Sequence, residues 1–501
     1  MDWRWPRPLG AAVVLGLAAG CSQADRRPVI DQAIRPTAYH SAERPKPRAE
    51  PEAVRVPSDP ATPADLAGPQ PVDAFIRRAL VENQTVQAAR YNVLAMQSRI
   101  PQVTSLDDPT VSNTIYPIPG AAPQYSLMGY NPYNLMIAQQ FPWFGTLRLR
   151  GEAAAKDAEV ALAELAAAQL DAVAAVKRAY YDLYFNARAE AILGENRKLA
   201  VDFIAIARER YRTGGTGQQD VLRAEVVVDD LDRELIRVRQ GATSARADLA
   251  QQVHADPEAD LQTLPELPTA GVPAEVDRLY RLALASRPEL KGRLSAIARD
   301  NRAVELARKR YKPDVTLGFS YMDMEKTNAE MPRTASGVPN LGMFVGFNLP
   351  VYRKKLAAGV CEAQARASAD AHLYGAERDA AYREIKDLMA QARSQRDILA
   401  LFQSSILPKS TQALEAATGD YQAGTVDYVT LLSAWREVLQ IQLQAAQVES
   451  ELGKIMASLE RAVGCQLNEN PIAPPPPVPA PAPAPSPPPA SAPGPFRPGD
   501  R

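Results

Sequence analysis

Residues 211–225 read YRTGGTGQQDVLRAE, and residues 421–435 read YQAGTVDYVTLLSAW. Tyr211, Gly214, Leu222 and Ala224 of the first stretch return as Tyr421, Gly424, Leu432 and Ala434, each 210 positions later. The correspondence extends outward from this core. Val176 and Lys177 return as Ile385 and Lys386 at an offset of 209, and Phe141 and Pro142 as Leu349 and Pro350 at 208. An offset this steady marks an internal duplication, so the chain carries two copies of a unit of about 200 residues.

Within one unit the periodicity gives a fixed order of elements. Helical spacing of apolar residues predicts a helix of about thirty residues, 72–100 in the first copy and 275–311 in the second, ended by Pro101 or Pro313. Alternation of period two follows. Val315, Leu317, Phe319 and Tyr321 interleave with Thr316, Gly318 and Ser320, and Met343, Val345, Phe347 and Leu349 with Phe344, Gly346 and Asn348, which predicts a strand pair joined by a polar loop. The first copy has weaker equivalents at 110–116 and 134–141. After Pro142 and Pro350 a helix of about seventy residues is expected, to Arg212 and again to Gln422. A glycine-containing turn (213–217; 423–425) then leads into a helix of about 38 residues ending at His254 or Val463.

The lengths imply how these helices pack. At 1.5 Å per residue the long helix measures about 100 Å, and the two shorter helices stacked end to end match it. Leu432, Trp435, Leu439, Leu443 and Ala446, then Leu452, Met456, Leu459 and Val463, follow the 3,4 spacing of a coiled-coil seam. The fold class is therefore mostly α with a small β part: two tandem repeats, each a long coiled-coil helical hairpin plus a β-hairpin.

Composition agrees with that class and narrows the functions. Hydrophobic residues make up 46% and aromatics only 6%, a balance suited to long helices. Lys and Arg number 57 against 58 Asp and Glu, so the net charge of -1 offers no field to draw in nucleic acid. The 44 prolines gather at the two ends and at a few internal boundaries. Residues 1–20 form an export signal: Arg4 and Arg7 precede an apolar run too short to span a bilayer. Ala18, Ala19 and Gly20 ahead of Cys21 resemble a bacterial lipobox, which makes Cys21 the lipidated first residue of the mature chain and implies palmitate and outer-membrane lipid as its surroundings. The expected organisation is a Pro- and Arg-rich tether over 21–71, repeat 1 over 72–267, repeat 2 over 272–465 and a Pro-rich disordered tail over 471–501.

The strands pose a closure problem. Four strands per chain cannot close a membrane barrel, whose smallest form has about eight, and an open edge in lipid leaves backbone groups unpaired. Three copies would supply a twelve-stranded barrel, and the same trimer would arrange its helices as a tube.

At this point the sequence resembles the TolC-type outer-membrane factors, the lipoprotein subgroup of the outer membrane efflux protein family, across about 395 residues. Tyr421, Gly424, Thr425, Leu431 and Leu432 carry the resemblance at one turn, and Tyr211, Gly214, Asp220, Val221 and Leu222 at the other. Gly346, Phe347, Leu349, Pro350 and Tyr352 carry it at one strand-to-helix junction, and Phe141, Pro142, Trp143, Phe144 and Gly145 at the other. The resemblance implies a homotrimer with a β-barrel in the outer membrane and a periplasmic α-barrel. Its implied function is the passive exit duct of a tripartite efflux system, served by a periplasmic adaptor (membrane fusion) protein and an inner-membrane transporter of the resistance-nodulation-division type.

The resemblance also implies a gate. It assigns the periplasmic tip and adaptor contact to Tyr211, Gly214, Gln219 and Asp220 in the first copy and to Tyr421, Gly424, Thr425, Thr430 and Ser433 in the second. Asp220 bonded to Tyr421 is the implied latch. The family's acids at the positions of Thr430 and Ser433 and its Arg at Val426 are missing here, and Asp427 is the substitute ring of charge. The segment Leu106, Asp107, Asp108 and Pro109 resembles members associated with heavy-metal resistance. Export of a protein through a type I secretion system is the alternative within the fold, and a non-spanning periplasmic coiled-coil scaffold the alternative outside it.

No chemistry of catalysis is expected. Thr213 to Gly217, TGGTG, lacks the lysine of a phosphate loop. His40, His254 and His372 show no ligand spacing, and Met322, Met324 and Met331 read as loop methionines, so neither metal nor cofactor is assigned. Cys361 and Cys465 fall roughly 37 Å apart along the hairpin and are expected as free thiols.

Overall fold

The computed structural model describes residues 66, 68–115, 130–267, 271–325 and 339–467, all within one compact unit. Cys21, the leader, nearly all of the tether, Met331 and the Pro-rich tail lie outside the described residues. The first copy contains β1 (Gly68–Gln70), α1 (Val72–Glu82), α2 (Gln84–Thr104), β2 (Thr110–Ile115), β3 (Tyr130–Phe141), α3 (Thr146–Arg212), α4 (Gln218–Val253) and β4 (Leu261–Thr263). The second contains α5 (Val276–Ser286), α6 (Pro288–Lys309), β5 (Val315–Glu325), β6 (Asn340–Phe347), α7 (Arg353–Leu401), α8 (Leu407–Ala423) and α9 (Tyr428–Val463). A π-helical turn, Phe402–Ile406, joins α7 to α8.

The expected thirty-residue helices are each two helices. Asn83 breaks the first by standing in extended conformation, its side-chain oxygen accepting from the amides of Thr85 and Val86 at 3.0 and 3.3 Å to cap α2. In the second copy Pro288 opens α6, and the clash of its ring with the preceding residue holds Arg287 out of the helical region. Both breaks are tied to the end of a returning helix. Asn83 Nδ2 donates to the Gln252 carbonyl at 3.0 Å, and Arg287 Nη1 donates to the carbonyl of Ala462, the residue 210 positions on from Gln252, also at 3.0 Å. Pro101 does not end α2, which runs on to Thr104, because only the last turn loses its donor there.

The second long helix also departs from the expectation of one uninterrupted rod. Pro408 lacks an amide donor and would press its ring on the carbonyl four residues back, that of Ser404, which lies within the wider π turn. That turn takes up the residue by which the repeat offset grows from 209 at Ile385 to 210 at Tyr421.

Packing is lateral, as the seam spacing requires. In one half, α3 lies between α2 and α6, and α6 packs on α7. In the other half, α3 lies between α4 and α9, and α9 packs on α7 and α8. Alanines such as Ala154, Ala158, Ala161 and Ala172 are buried along α3 and let its neighbours approach closely. Two midway cores repeat the same theme. Phe75, Tyr180, Leu249 and Val253 bury against the parallel pair β1 and β4, which sequence reading did not anticipate, and Leu279, Ile385, Met456 and Leu459 form the second. Tyr180 fastens the first by donating to the Gln70 carbonyl at 3.0 Å and accepting from the Leu264 amide at 3.1 Å.

The remaining strands form one antiparallel sheet in the order β2-β3-β5-β6. This order repeats that of the helices at its end, α2-α3-α6-α7, so each strand continues a helical column.

Candidate functional site

Two places combine exposure with organised chemistry: the pair of helical turns, and the sheet with its junctions. At the turns, Gly214 and Gly424 adopt φ of 78° and 82°. Each closes the same capping pattern, with Gly214 N on Tyr211 O and Gly215 N on Arg210 O, and Gly424 N on Tyr421 O and Thr425 N on Asp420 O. The recurring Tyr-x-x-Gly is thus the signature of a helix stop that needs a left-handed residue.

Tertiary packing brings the two turns together. Tyr421 and Tyr428 are buried with ring centroids 5.7 Å apart, in a core shared by Phe203, Leu231, Leu431 and Trp435. Arg210, which sequence reading passed over, fastens one turn to the other. Its guanidinium lies 4.6 Å from the centroid of the Tyr421 ring, donates to the Tyr421 carbonyl, and reaches the Gly215 carbonyl at 3.3 Å. The only sequence signal was a cation one residue before the repeated tyrosine, and its counterpart in the second copy is Asp420.

The Asp220 to Tyr421 bond expected as the latch is not formed among the described residues. The Thr216 hydroxyl, in the same turn as Asp220, donates to that carboxylate, and the local partner wins over the distant one. The Tyr421 hydroxyl is buried without a well-formed hydrogen bond. Burial pushes its pKa up; Arg210 opposes this, the Asp220 charge adds to it, and the Thr216 hydroxyl opposes it. Burial first, then Tyr421 and Asp220, push Tyr428 up to about 12.

The other tip residues are exposed. Tyr211, Gln219, Thr425, Asp427, Thr430 and Ser433 all face solvent. Asp427 caps α9, accepting from the Thr430 amide at 3.0 Å and hydroxyl at 2.6 Å. Those two bonds hold its carboxyl below the usual range, so it is a charged group at the turn.

The sheet has two unlike faces. Register places Val111, Leu135, Ile137, Val315, Leu317, Phe319, Leu341, Met343, Val345 and Phe347 on one face. Thr110, Ser112, Asn134, Gln140, Thr316, Gly318, Ser320, Asn340, Gly342 and Gly346 share the other. The apolar face stays uncovered, with Met343 90% and Val111 66% exposed. Asn113, Gln139 and Asp323 are polar exceptions on it; the Gln139 amide donates to the Asp107 carbonyl at 2.8 Å. On the polar face Phe344 lies over Gly318, where a Cβ would meet its ring at 2.1 Å. The outer edges of β2 and β6 have no partner strand among the described residues.

At the junctions, Gly145 turns at φ 81° to start α3, and Phe141 and Leu349 are exposed beside Pro142 and Pro350. Asp314 pins both junctions, accepting from the Trp143 amide at 2.9 Å and the Asn348 side chain at 3.2 Å. Met322 lies on the polar face of β5; Cys361 is exposed on α7 and Cys465 partly buried, both as free thiols. No group of metal-ligating side chains occurs among the described residues, and no described helix is long and apolar enough to cross a membrane.

Comparison with known proteins places this geometry. Residues 75–253 and 279–465 match the model of the outer membrane efflux protein family. The cobalt-zinc-cadmium resistance protein CzcC of Cupriavidus metallidurans is 21% identical over 411 residues, covering 81% of this chain and 92% of that one. The solved outer-membrane channel OprN superposes with a TM-score of 0.67 at 20% identity, over 82% of this chain and 98% of the other. The outer membrane protein VceC of Vibrio cholerae gives 0.66 at 20%, over 79% and 97%.

Proposed function

The chain belongs to the outer membrane efflux protein family, and on that premise we propose that it assembles as a homotrimer into the exit duct of a tripartite pump. The observation that carries this reading is the open sheet, apolar and exposed on one face, polar on the other and unpaired at β2 and β6. Three such sheets joined edge to edge make a closed barrel of twelve strands, an even number well above the minimum. Closure satisfies the backbone groups of both edges and turns the apolar face to lipid. Because the helices follow the strand order, the same symmetry continues the barrel into a helical tube. A non-spanning scaffold leaves that apolar face without a role.

The duct passes solutes without chemistry of its own, from the periplasm to the exterior. Its helical turns lie about 100 Å from the sheet, the length of α3, and form the periplasmic gate and the contact with the adaptor protein, with the inner-membrane transporter beyond. Tyr211, Gln219, Thr425, Thr430 and Ser433 present the outward polar surface of that gate. Asp427 and Asp220 give it negative charge. The name of the relative CzcC supports divalent metal ions as cargo. Lipidation at Cys21 would anchor each chain at the same membrane.

Single-channel recording of the purified protein in planar bilayers tests the reading. Discrete steps, with a cation preference that falls in Asp427→Asn, are expected; a protein that stays soluble and never conducts sinks the pore.

A further inference from the structure

The densest positive charge in the chain lies where strands become helices. Residues 307–314 read ARKRYKPD and residues 352–355 read YRKK, seven cations against one carboxylate. That carboxylate, Asp314, is engaged by Trp143, Gln140 and Asn348. Among the described residues none of Arg150, Lys309, Arg310 and Lys312 makes an ion pair, yet all four line one cavity of about 230 Å³ together with Thr146, Asn348 and Asp314 itself. Four cations against the single Asp314 carboxylate, which is already held by Trp143, Gln140 and Asn348, leave an excess of positive charge around one small space that calls for an anion.

Beside it lies a second cavity of opposite character. Phe141, Trp143, Phe144, Leu147 and Leu317 line about 430 Å³ on the apolar face of the sheet. The consecutive residues Gly145 and Thr146 line one cavity each. The boundary is bridged by cations on aromatic ground: Lys309 Nζ donates to the Phe144 carbonyl at 3.2 Å, and Lys312 Nζ stands 5.9 Å from the centroid of the Trp143 ring. Phe144 itself is 84% exposed, its ring meeting only the edge of Trp143 with centroids 5.9 Å apart, which leaves most of a large apolar side chain uncovered.

We propose that this junction is a binding site for one anionic phospholipid, its phosphate among Lys309, Arg310, Lys312 and Arg150 and an acyl chain along Phe141, Trp143 and Phe144. The site takes an amphiphile because a basic and an apolar cavity adjoin at the level where the sheet meets the helices. Lysines reach such a headgroup with their stems on apolar ground and their ammonium groups in water. The inference rests on the reading that the sheet lies in the membrane, and it specifies the leaflet, the one facing the helices.

The full chain in nonionic detergent tests it, with phosphatidylglycerol, phosphatidylcholine and inorganic phosphate as probes, binding being read by native mass spectrometry and by the shift in melting temperature. Phosphatidylglycerol is expected to bind about tenfold or more tightly than phosphatidylcholine. The double variant Lys309→Gln, Lys312→Gln should lose that preference at unchanged helix content, while Phe144→Ala weakens both lipids alike. Equal binding of the two lipids, or a preference retained in the double variant, overturns the site. A shift reproduced in full by inorganic phosphate overturns the lipid assignment, the basic cavity then taking a free anion. Conductance separates this inference from the pore: a conducting wild type without headgroup preference removes only the lipid site, and headgroup preference in a protein that never conducts removes only the pore.

Discussion

Arg210 and Tyr421 set how firmly the two turns of one protomer hold together. Removing the guanidinium deletes a charged hydrogen bond and a cation–π contact, together about 2 kcal/mol. Arg210→Ala is therefore expected to speed amide exchange at both turns and to raise the frequency of open steps in bilayer recordings. Arg210→Lys should recover little of this, because an ammonium has no flat face to lay on the ring. The pH dependence has two limbs. Tyr428 has its pKa raised to about 12, so the folded turn favours the neutral phenol. Its contribution is intact below the ordinary phenol value of about 10 and is lost as pH rises toward the shifted one, which tyrosinate absorbance followed alongside amide exchange will show. Asp427 is shifted the other way, so its cap is present above the ordinary carboxylate range and is lost as pH falls through the lowered value. Exchange of the Thr430 amide should accelerate in acid, and Asp427→Asn should remove that acid dependence. At this scale the glycines and tyrosines of the turns were legible because they occur twice. Arg210 was not, because it occurs once and its partner is 211 positions away.

Helices and strands show the duplication most directly in where they fail to be regular. The π turn at Phe402–Ile406 holds one residue more than an α-helical path needs. Deleting Ser404 should convert it to regular helix and leave the melting temperature little changed, whereas deleting the buried Ala392 shifts a packed register and should melt the hairpin early; thermal denaturation followed by circular dichroism compares the two. Glycines offer a second contrast. Gly464 sits at φ 84° with a notional Cβ 2.7 Å from the Arg287 Cα, so Gly464→Ala meets both strain and backbone and should cost about 1–3 kcal/mol. Gly375 in α7 faces open space, and Gly375→Ala should stabilise by up to about 1 kcal/mol. Periodicity located every long helix, but not the breaks at Asn83 and Arg287. Those are decided by a cap and a proline acting against continuous apolar spacing, and the parallel pair β1 and β4 is too short to carry a period.

For the whole molecule the sheet divides the consequences of mutation by face. Phe319→Arg puts a charge on the apolar face and should cost about 2–4 kcal/mol of membrane stability if its depth is near the midplane. Ser320→Arg, one residue on, points to the polar face and should be tolerated. The fraction of protein recovered as membrane-inserted trimer reads both, and equal recovery of the two variants would contradict the assignment of faces. The sequence alone determined the duplication, the long helices, the alternating strands and the mismatch between four strands and a closed barrel. Those features are local or periodic, and the pattern of apolar residues along the chain records them directly. Only tertiary structure decided which strand lies next to which helix, that Thr216 takes Asp220 away from Tyr421, and that Arg210 spans the two turns. It also placed the cations of 307–314 beside the aromatics of 141–144. Apart from the local bond of Thr216 to Asp220, those pairings join residues far apart in the chain, and packing, not periodicity, selects them.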